Sequence, residues 1–228
     1  MSQFWYDEDT SNKLAEEIQR LAGPEGKVAC LSCPSAFRAC RGAKNGKIIT
    51  SYWTKIREYF GLHLLQMCHF SITFYIFLYV VYLFEFDRRF KAFGASYHFY
   101  DYNHPEDLPE ECHGAYSVVI ADPPFLSVEC LTKLAEAVKL VKTSDAKVIL
   151  CTGRLSACLL LNVAHFICHV KHAKQIIKLK WNFAGDIMGE HAEKLMGLKK
   201  TEFLPKHKNN LGNEFSCFAN YDFPIKSS

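Results

Sequence analysis

Residues 116–125 read Tyr-Ser-Val-Val-Ile-Ala-Asp-Pro-Pro-Phe, and this stretch decides the fold of the 228-residue chain. The first six residues carry no charge and include three β-branched aliphatic side chains, which predicts a strand over 116–121. The strand runs straight into Asp122-Pro123-Pro124-Phe125. A short, apolar strand of this kind is typical of a parallel sheet that is covered by helices on both faces.

Similar segments on either side predict the rest of an α/β domain. Strands are predicted over residues 27–31, 83–86, 97–101, 147–151, 201–205 and 214–222. Helices are predicted over 10–22 with Thr10 or Ser11 as the N-cap, over 128–141 with Ser127 as the N-cap, and over 190–196. In such a sheet, ligands bind beyond the carboxyl ends of the strands, where polar side chains also cluster in this sequence.

Composition excludes several classes of protein. Charged residues make up 22% and apolar residues 49%, an ordinary globular balance, and the net charge of only +3 does not suggest a dedicated nucleic-acid binder. The ten cysteines lie largely in apolar runs, and the acidic N-terminal region lacks a secretory signal. We therefore expect an intracellular protein with reduced cysteines.

Two segments lack the turn residues that punctuate the rest of the chain. We interpret the chain as one domain, 1–228, with insertions at about 41–80 and 154–184. The uncharged stretch 59–84 reaches the length of a membrane span, for which about 20 apolar residues suffice. We favour a buried segment over a span, because a span would remove the strand at 83–86 from the sheet.

The Asp-Pro-Pro-Phe stretch has the chemistry of an amine site. Asp122 and the carbonyl of Pro123 can each accept a hydrogen bond from an amino group, which turns its lone pair toward a methyl donor. The adjoining Pro124 stiffens the backbone, and Phe125 offers a π face to a cationic sulfonium. The pattern favours methyl transfer to nitrogen without a metal. The alternative is a simple turn after a strand.

Other acidic and polar residues at strand ends are candidate contacts for a nucleoside-containing donor. Glu85, or its alternate Asp87, could accept from both ribose hydroxyls. Asp101 could accept from an adenine amino group while Tyr102 packs on the ring. For each acid the competing interpretation is a surface ion pair or a turn.

The loop after the first strand, 32–35, has no glycine-rich phosphate cradle, which argues against a dinucleotide cofactor. S-adenosylmethionine has no phosphate, and Ser32 and Ser35 could hold its amino-acid end. Metal sites have weaker support: Cys30 and Cys33 form one pair without a second at zinc spacing, and the His and Cys residues of 165–172 lie in a predicted insertion. We expect no metal.

Five blocks of the sequence, in this order, resemble the eukaryotic lysine methyltransferases of translation elongation factor 1-alpha, a family earlier predicted to methylate adenine N-6 in DNA. The blocks are residues 2–6, 83–90, 99–103, 119–127 and 213–222. The resemblance implies a class I, Rossmann-like methyltransferase with a mostly parallel seven-stranded sheet. It also implies S-adenosylmethionine as the donor and a lysine ε-amine as the acceptor. Asp122, Pro123, Pro124 and Phe125 match the family's catalytic motif, and Glu85 stands where its ribose-binding acid is expected.

The chain departs from this family at three places. It lacks the segment that usually precedes Ser2, and its two insertions have a composition closer to translated intron than to a loop. We expect a cytoplasmic, monomeric protein-lysine methyltransferase with elongation factor 1-alpha as its partner and with neither a nucleic acid nor a membrane bound stably. The alternatives are an adenine N-6 methyltransferase and a splice variant with impaired catalysis.

Overall fold

The structure is a computed structural model that describes residues 5–42, 80–153, 188–208 and 215–224. The two predicted insertions, the uncharged stretch as far as residue 79 and the His- and Cys-containing segment 165–172 lie outside these ranges. Among the described residues, no helix is long and apolar enough to cross a membrane. In the same ranges, no three His, Cys, Asp or Glu side chains are grouped as metal ligands would be.

One sheet organises the described part of the chain. Its strands are β1 (Lys27–Leu31), β2 (Val80–Glu85), β3 (Tyr97–Phe99), β4 (Tyr116–Ala121), β5 (Lys142–Gly153), β6 (Lys199–Lys200) and β7 (Phe215–Ala219). Their order is β3-β2-β1-β4-β5-β7-β6, and β7 runs antiparallel to both of its neighbours while the other pairs are parallel. The expected mostly parallel, seven-stranded α/β sheet is confirmed.

Helices cover both faces of this sheet, because successive strand residues point to opposite sides. Along β1, Val28 and Cys30 pack in the same cluster as the apolar residues of α1 (Glu8–Ala22) and α2 (Pro34–Gly42). Ala29 and Leu31 belong to the opposite cluster, which contains the apolar face of α3 (Val128–Val141) and part of the helical residues 188–196.

Most of the predicted elements are present. The structure confirms β1, β4 and α3 with the predicted bounds, and the hydroxyl of Ser127 accepts from the Cys130 amide at 3.1 Å as a helix N-cap. The other predicted strands at 83–86, 97–101, 147–151 and 214–222 and the helix at 190–196 are present with shifted ends.

Two local predictions are wrong. Asp7 caps α1 by accepting from the Thr10 amide at 2.7 Å, so the helix begins before the predicted caps. Residues 201–205 are not a strand, and the short β6 precedes them. Alternate residues of this segment are buried, as in a strand, but Pro205 has no N–H to offer to a ladder.

Candidate active site at the carboxyl edge of the sheet

The strand register places two carboxylates level with each other at one edge of the sheet. Leu31, at the end of β1, pairs with Phe84 of β2 on one side and with Ala121 of β4 on the other. Glu85 and Asp122 each follow one residue later. The two acids therefore flank the carboxyl end of β1, where a ligand of an open α/β sheet binds.

The backbone fixes the position of Asp122. Its amide donates to the carbonyl of Leu31 at 3.1 Å, extending the β1–β4 pairing by one bond. Pro123 is buried beside it, whereas Pro124 is exposed and the side chain of Phe125 is 56% exposed. The motif thus runs from the sheet into solvent within four residues, with an aromatic ring at its outer end.

Tyr6 is the hydrogen-bond partner of this aspartate. Its hydroxyl donates to Asp122 Oδ2 at 2.6 Å, across 116 positions of sequence. Burial raises the pKa of Tyr6 well above its ordinary value, and the negative charge of Asp122 adds to the effect. Tyr6 is therefore a permanent donor, which leaves Asp122 Oδ1 to meet another group.

Asp122 holds its proton more tightly than an ordinary aspartate. Loss of hydration raises its pKa to about 7, and the carboxylate of Glu85 pushes in the same direction, while the Tyr6 hydrogen bond opposes both. A carboxylate with its pKa near neutrality is typical of functional sites. Near neutral pH, both protonation states of Asp122 are accessible.

A second segment holds Tyr6 in place. Residues 5–7 run antiparallel to residues 206–208 through a bridge between Tyr6 and His207, whose rings lie 4.9 Å apart. The Tyr6 amide donates to Ser35 Oγ at 3.2 Å. The flanking backbone bonds run from Asp7 N to Lys206 O at 2.9 Å and from Lys208 N to Trp5 O at 3.0 Å.

The carboxylates of Glu85 and Asp87 differ in the hydrogen bonds that they already accept within the protein. Glu85 is buried, its Oε1 accepts from the Asp87 amide at 3.2 Å, and no side chain of the described residues donates to it. Burial raises its pKa, and the amides of Asp87 and Phe86 partly reverse that rise. Both oxygens of Asp87 accept from Arg89 Nε, at 3.0 and 2.8 Å. Glu85 is therefore the freer acceptor.

The two predicted serines have different surroundings. Ser32 is partly exposed and adopts a left-handed φ of 51°, unusual for a residue with a side chain, directly after β1. Its amide donates to the Phe84 carbonyl at 2.8 Å. Ser35 is buried, and its hydroxyl accepts from the Tyr6 amide. The structure thus offers Ser32 to a ligand, whereas Ser35 supports Tyr6.

Asp101 and Tyr102 lie near the aromatic end of the motif. The ring of Tyr102 lies 5.6 Å from that of Phe125, and Lys133 of α3 places its ammonium 6.0 Å from the Tyr102 ring. Asp101 Oδ1 accepts from the amide and the side chain of Asn103 at 2.9 and 3.0 Å. Tyr102 and Phe125 therefore form one aromatic rim, and Asp101 is the N-terminal residue of a turn.

Sequence reasoning missed three contributors to this edge. Tyr6 and His207 come from opposite ends of the chain, and no local pattern links them to Asp122. Phe86 and Phe99 form an exposed aromatic pair, with ring centroids 5.5 Å apart, beside Glu85. Their place at the carboxyl ends of β2 and β3 was the available signal, since exposed aromatic rings at a ligand edge are candidate stacking surfaces.

The arrangement fits a donor that contains a nucleoside. Glu85 has a carboxylate without a side-chain partner among the described residues, the Phe86–Phe99 pair offers apolar surface for a flat ring, and no phosphate cradle is needed. Asp122 lies on the other side of β1 with one oxygen free for an amine. The chemistry of these groups therefore suits a nucleoside at the end of β2 and an amine at the end of β4, on the two sides of β1.

Known proteins agree with this description. The profile of the family described as "Probable N6-adenine methyltransferase" matches residues 1–223. EEF1A lysine methyltransferase 1 of Danio rerio is 37% identical over all of both chains. Its namesake in Homo sapiens is 34% identical over 97% of this chain and 74% of its own, and Protein-lysine N-methyltransferase M142.8 of Caenorhabditis elegans is 35% identical over 97% and 77%. The chain therefore belongs to this methyltransferase family, with the class I, Rossmann-like fold that its sheet order displays.

Proposed function

We propose that this enzyme transfers a methyl group from S-adenosylmethionine to a lysine ε-amine of translation elongation factor 1-alpha. The observation that carries the proposal is Asp122, directly after a buried strand, with one oxygen held by Tyr6 and the other without a hydrogen-bond partner among the described residues. The names of relatives at 34–37% identity support lysine in this factor as the acceptor.

Glu85 is proposed to hold the donor through its ribose hydroxyls, with Asp87 as the alternate acid. Ser32 and Ser35 would lie toward the amino-acid end of the donor, and Ser35 would act mainly through Tyr6. Asp101 and Tyr102 are proposed to face the adenine. The donor, when bound, supplies an electrophilic methyl group on a sulfonium.

The acceptor amine is proposed to be oriented by two oxygens. Asp122 Oδ1 accepts one amine hydrogen and the carbonyl of Pro123 accepts another, so that the lone pair points away from both. Pro124 keeps the carbonyl of Pro123 in a fixed direction, because each proline ring locks its own φ angle. Phe125 and Tyr102 flank the entrance with aromatic faces that favour a cation.

The amine must be neutral when it accepts the methyl group. A free lysine has a pKa of about 10.4, and the apolar surroundings of Pro123 and Phe125 would lower that pKa by removing water from the ammonium. After methylation the nitrogen carries a positive charge, which the ionised Asp122 stabilises. Asp122 thus orients the amine before the methyl transfer and stabilises the positive charge of the methylated amine after it.

The experiment that tests this function is methylation of purified elongation factor 1-alpha with a radiolabelled methyl donor. The expected result is label on the factor with the wild-type chain and loss of that label with Asp122→Ala. A matched control is Asp222→Ala, which removes an exposed carboxylate in the described C-terminal segment. Label that persists in Asp122→Ala would refute the proposed mechanism.

Adenine N-6 is the second candidate acceptor, and it is favoured by the description of the matching family. Its exocyclic amine could meet the same two oxygens. An oligonucleotide arm of the assay distinguishes the two: label on DNA or RNA but not on protein would establish adenine as the acceptor.

We further propose a monomeric, single-domain, cytoplasmic enzyme with insertions at about 41–80 and 154–184. Calorimetry with the methyl donor, on the full chain and on a variant lacking both insertions, tests whether they affect the donor site. Binding by both chains is expected. Binding by the shortened chain alone would favour the impaired splice variant.

A further inference from the structure

The N-terminal segment brings a phenol to the proposed catalytic carboxylate. Tyr6 is 1% exposed, and its hydroxyl lies 2.6 Å from Asp122 Oδ2. A carboxylate that accepts at one oxygen loses its freedom to rotate about the Cβ–Cγ bond. The contact therefore sets the direction in which Asp122 Oδ1 points.

We propose that Tyr6 is a positioning residue that holds Asp122 in the orientation needed to accept from the amine. This inference rests on the proposed function and deepens it. Tyr6 has no free donor left for a substrate, so it acts through Asp122 rather than on the reacting atoms.

The surrounding contacts make Tyr6 rigid enough for this role. Its amide is bound by Ser35 Oγ at 3.2 Å, and its ring packs on His207 with centroids 4.9 Å apart. The 206–208 segment is tied in turn to α1, because the Lys206 amide donates to Thr10 Oγ1 at 3.0 Å. The hydrogen bond of the Tyr6 amide and the packing of its ring on His207 together fix the position of the Tyr6 hydroxyl.

The charges around Asp122 give the role a measurable consequence. The titratable groups that face it are Tyr6, Glu85, Cys33 and Cys151, from the N-terminal segment, β2, the loop after β1 and β5. Of these, the Tyr6 hydroxyl lowers the pKa of Asp122, whereas the charge of Glu85 raises it. Removing the hydroxyl must therefore move protonation of Asp122 to higher pH.

Tyr6→Phe tests the proposal, because it keeps the ring and removes only the donor. We expect kcat to fall roughly 10- to 100-fold, the range for loss of a hydrogen bond to a charged group, with little change in the KM of the protein substrate. The acid limb of the kcat–pH profile should move to higher pH. A purely structural role would lower the melting temperature without moving that limb.

Tyr116→Phe is the matched control. Tyr116 is also buried and its hydroxyl donates to Cys112 Sγ at 3.6 Å, but it lies at the start of β4, the opposite end from Asp122. The Tyr116→Phe variant should leave kcat and the kcat–pH profile unchanged.

If Tyr6→Phe folds poorly, Thr10→Val provides a second test, because it loosens the same segment while keeping the phenol of Tyr6. A smaller fall in kcat is expected for this variant.

Carbon-13 NMR titration of the Asp122 carboxyl, in wild type and Tyr6→Phe, provides a readout that needs no turnover. A higher carboxyl pKa in the variant supports the positioning role. If the wild-type chain methylates nothing, the proposed function fails while this titration still decides the role of Tyr6. Unchanged kcat, pH profile and carboxyl titration in Tyr6→Phe would overturn the inference.

Discussion

The phenyl ring of Phe215 packs against the imidazole of His207, with ring centroids 3.9 Å apart. Because Tyr6 lies on the same imidazole, His207 is enclosed by aromatic rings from two distant parts of the chain. Among the described residues, its buried Nε2 has no hydrogen-bond partner. Burial of this kind favours the neutral form of the histidine.

His207 should make the fold sensitive to acid. Burial lowers its pKa to about 4, against an opposing effect of Asp7, whereas an unfolded histidine has a pKa of about 6.5. Because the folded pKa is lowered, the contribution of His207 to the free energy of unfolding is fully present above pH 6.5. It is lost as the pH falls toward 4, by up to about 1.4 kcal/mol per pH unit. Thermal unfolding of His207→Phe from pH 7 to 4.5 should show a smaller acid-side decline. His104→Gln, a change at an exposed histidine, should keep the wild-type decline.

Asp122→Asn should reduce activity and increase stability. The amide cannot balance the charge of the methylated amine, so we expect kcat to fall about 100-fold or more. Since the folded pKa of about 7 lies above the unfolded value, this carboxyl favours folding at low pH, and that contribution is lost as the pH rises through 7. The variant should therefore gain a few degrees of melting temperature at pH 8 and less at pH 5. An equal gain at both pH values would contradict the raised pKa.

Glu85→Gln should weaken donor binding. Its carboxylate has no side-chain partner among the described residues, and an amide accepts from hydroxyl groups less strongly than a carboxylate does. We expect a roughly 10- to 100-fold rise in the dissociation constant of S-adenosylmethionine by calorimetry. Asp87→Asn should raise the same dissociation constant less than about 3-fold, because Asp87 already accepts hydrogen bonds from Arg89. The reverse order would make Asp87 the ribose ligand.

Gly153→Ala should destabilise the protein through a steric contact rather than through its backbone angles. A Cβ at Gly153 would lie 3.0 Å from Phe215 Cε1 and 3.3 Å from Leu126 Cδ1. We expect a loss of about 1–3 kcal/mol in the free energy of unfolding, measured with urea, as for other overpacked sites. Gly42→Ala is the control, since among the described residues no atom beyond its chain neighbours and its own helix lies within 4 Å of the added Cβ. A destabilisation of similar size there would contradict the steric explanation.

The sequence predicted most accurately the elements whose limits are marked by local chemistry. β4 ends where an apolar run meets Asp-Pro-Pro, and α3 begins at a serine that caps it, so both bounds were correct. The 201–205 segment shows where this reasoning stops. Its alternating burial is real, but the Thr201 amide donates to the Cys217 carbonyl of β7 at 2.9 Å and the Phe203 amide then turns to Thr201 Oγ1 at 3.2 Å, contacts that no local pattern indicates.

The residues of the candidate site also fall into two groups, those that a local sequence pattern indicates and those that only tertiary contacts bring to the site. Asp122 and Glu85 were predicted as site residues because each lies at the end of an apolar strand, a feature visible in one short window of sequence. Tyr6 could not be placed, because only the folded chain brings it to Asp122. The burial that raises the pKa of Asp122 has the same origin, since its neighbours come from the N-terminal segment, from the loop after β1 and from β2 and β5.

The strand register around Leu31 determines which part of the proposed site could change to accept a different substrate. Strands in a sheet lie about 4.8 Å apart, so Glu85 and Asp122, one strand to either side of β1, are separated by roughly 10 Å of backbone. Main-chain hydrogen bonds fix that span, whichever side chains occupy its ends. The side chains near Phe125 can therefore change without altering the backbone distance between Asp122 and Glu85, the proposed donor contact, so that the proposed lysine and adenine acceptors would meet the same spacing.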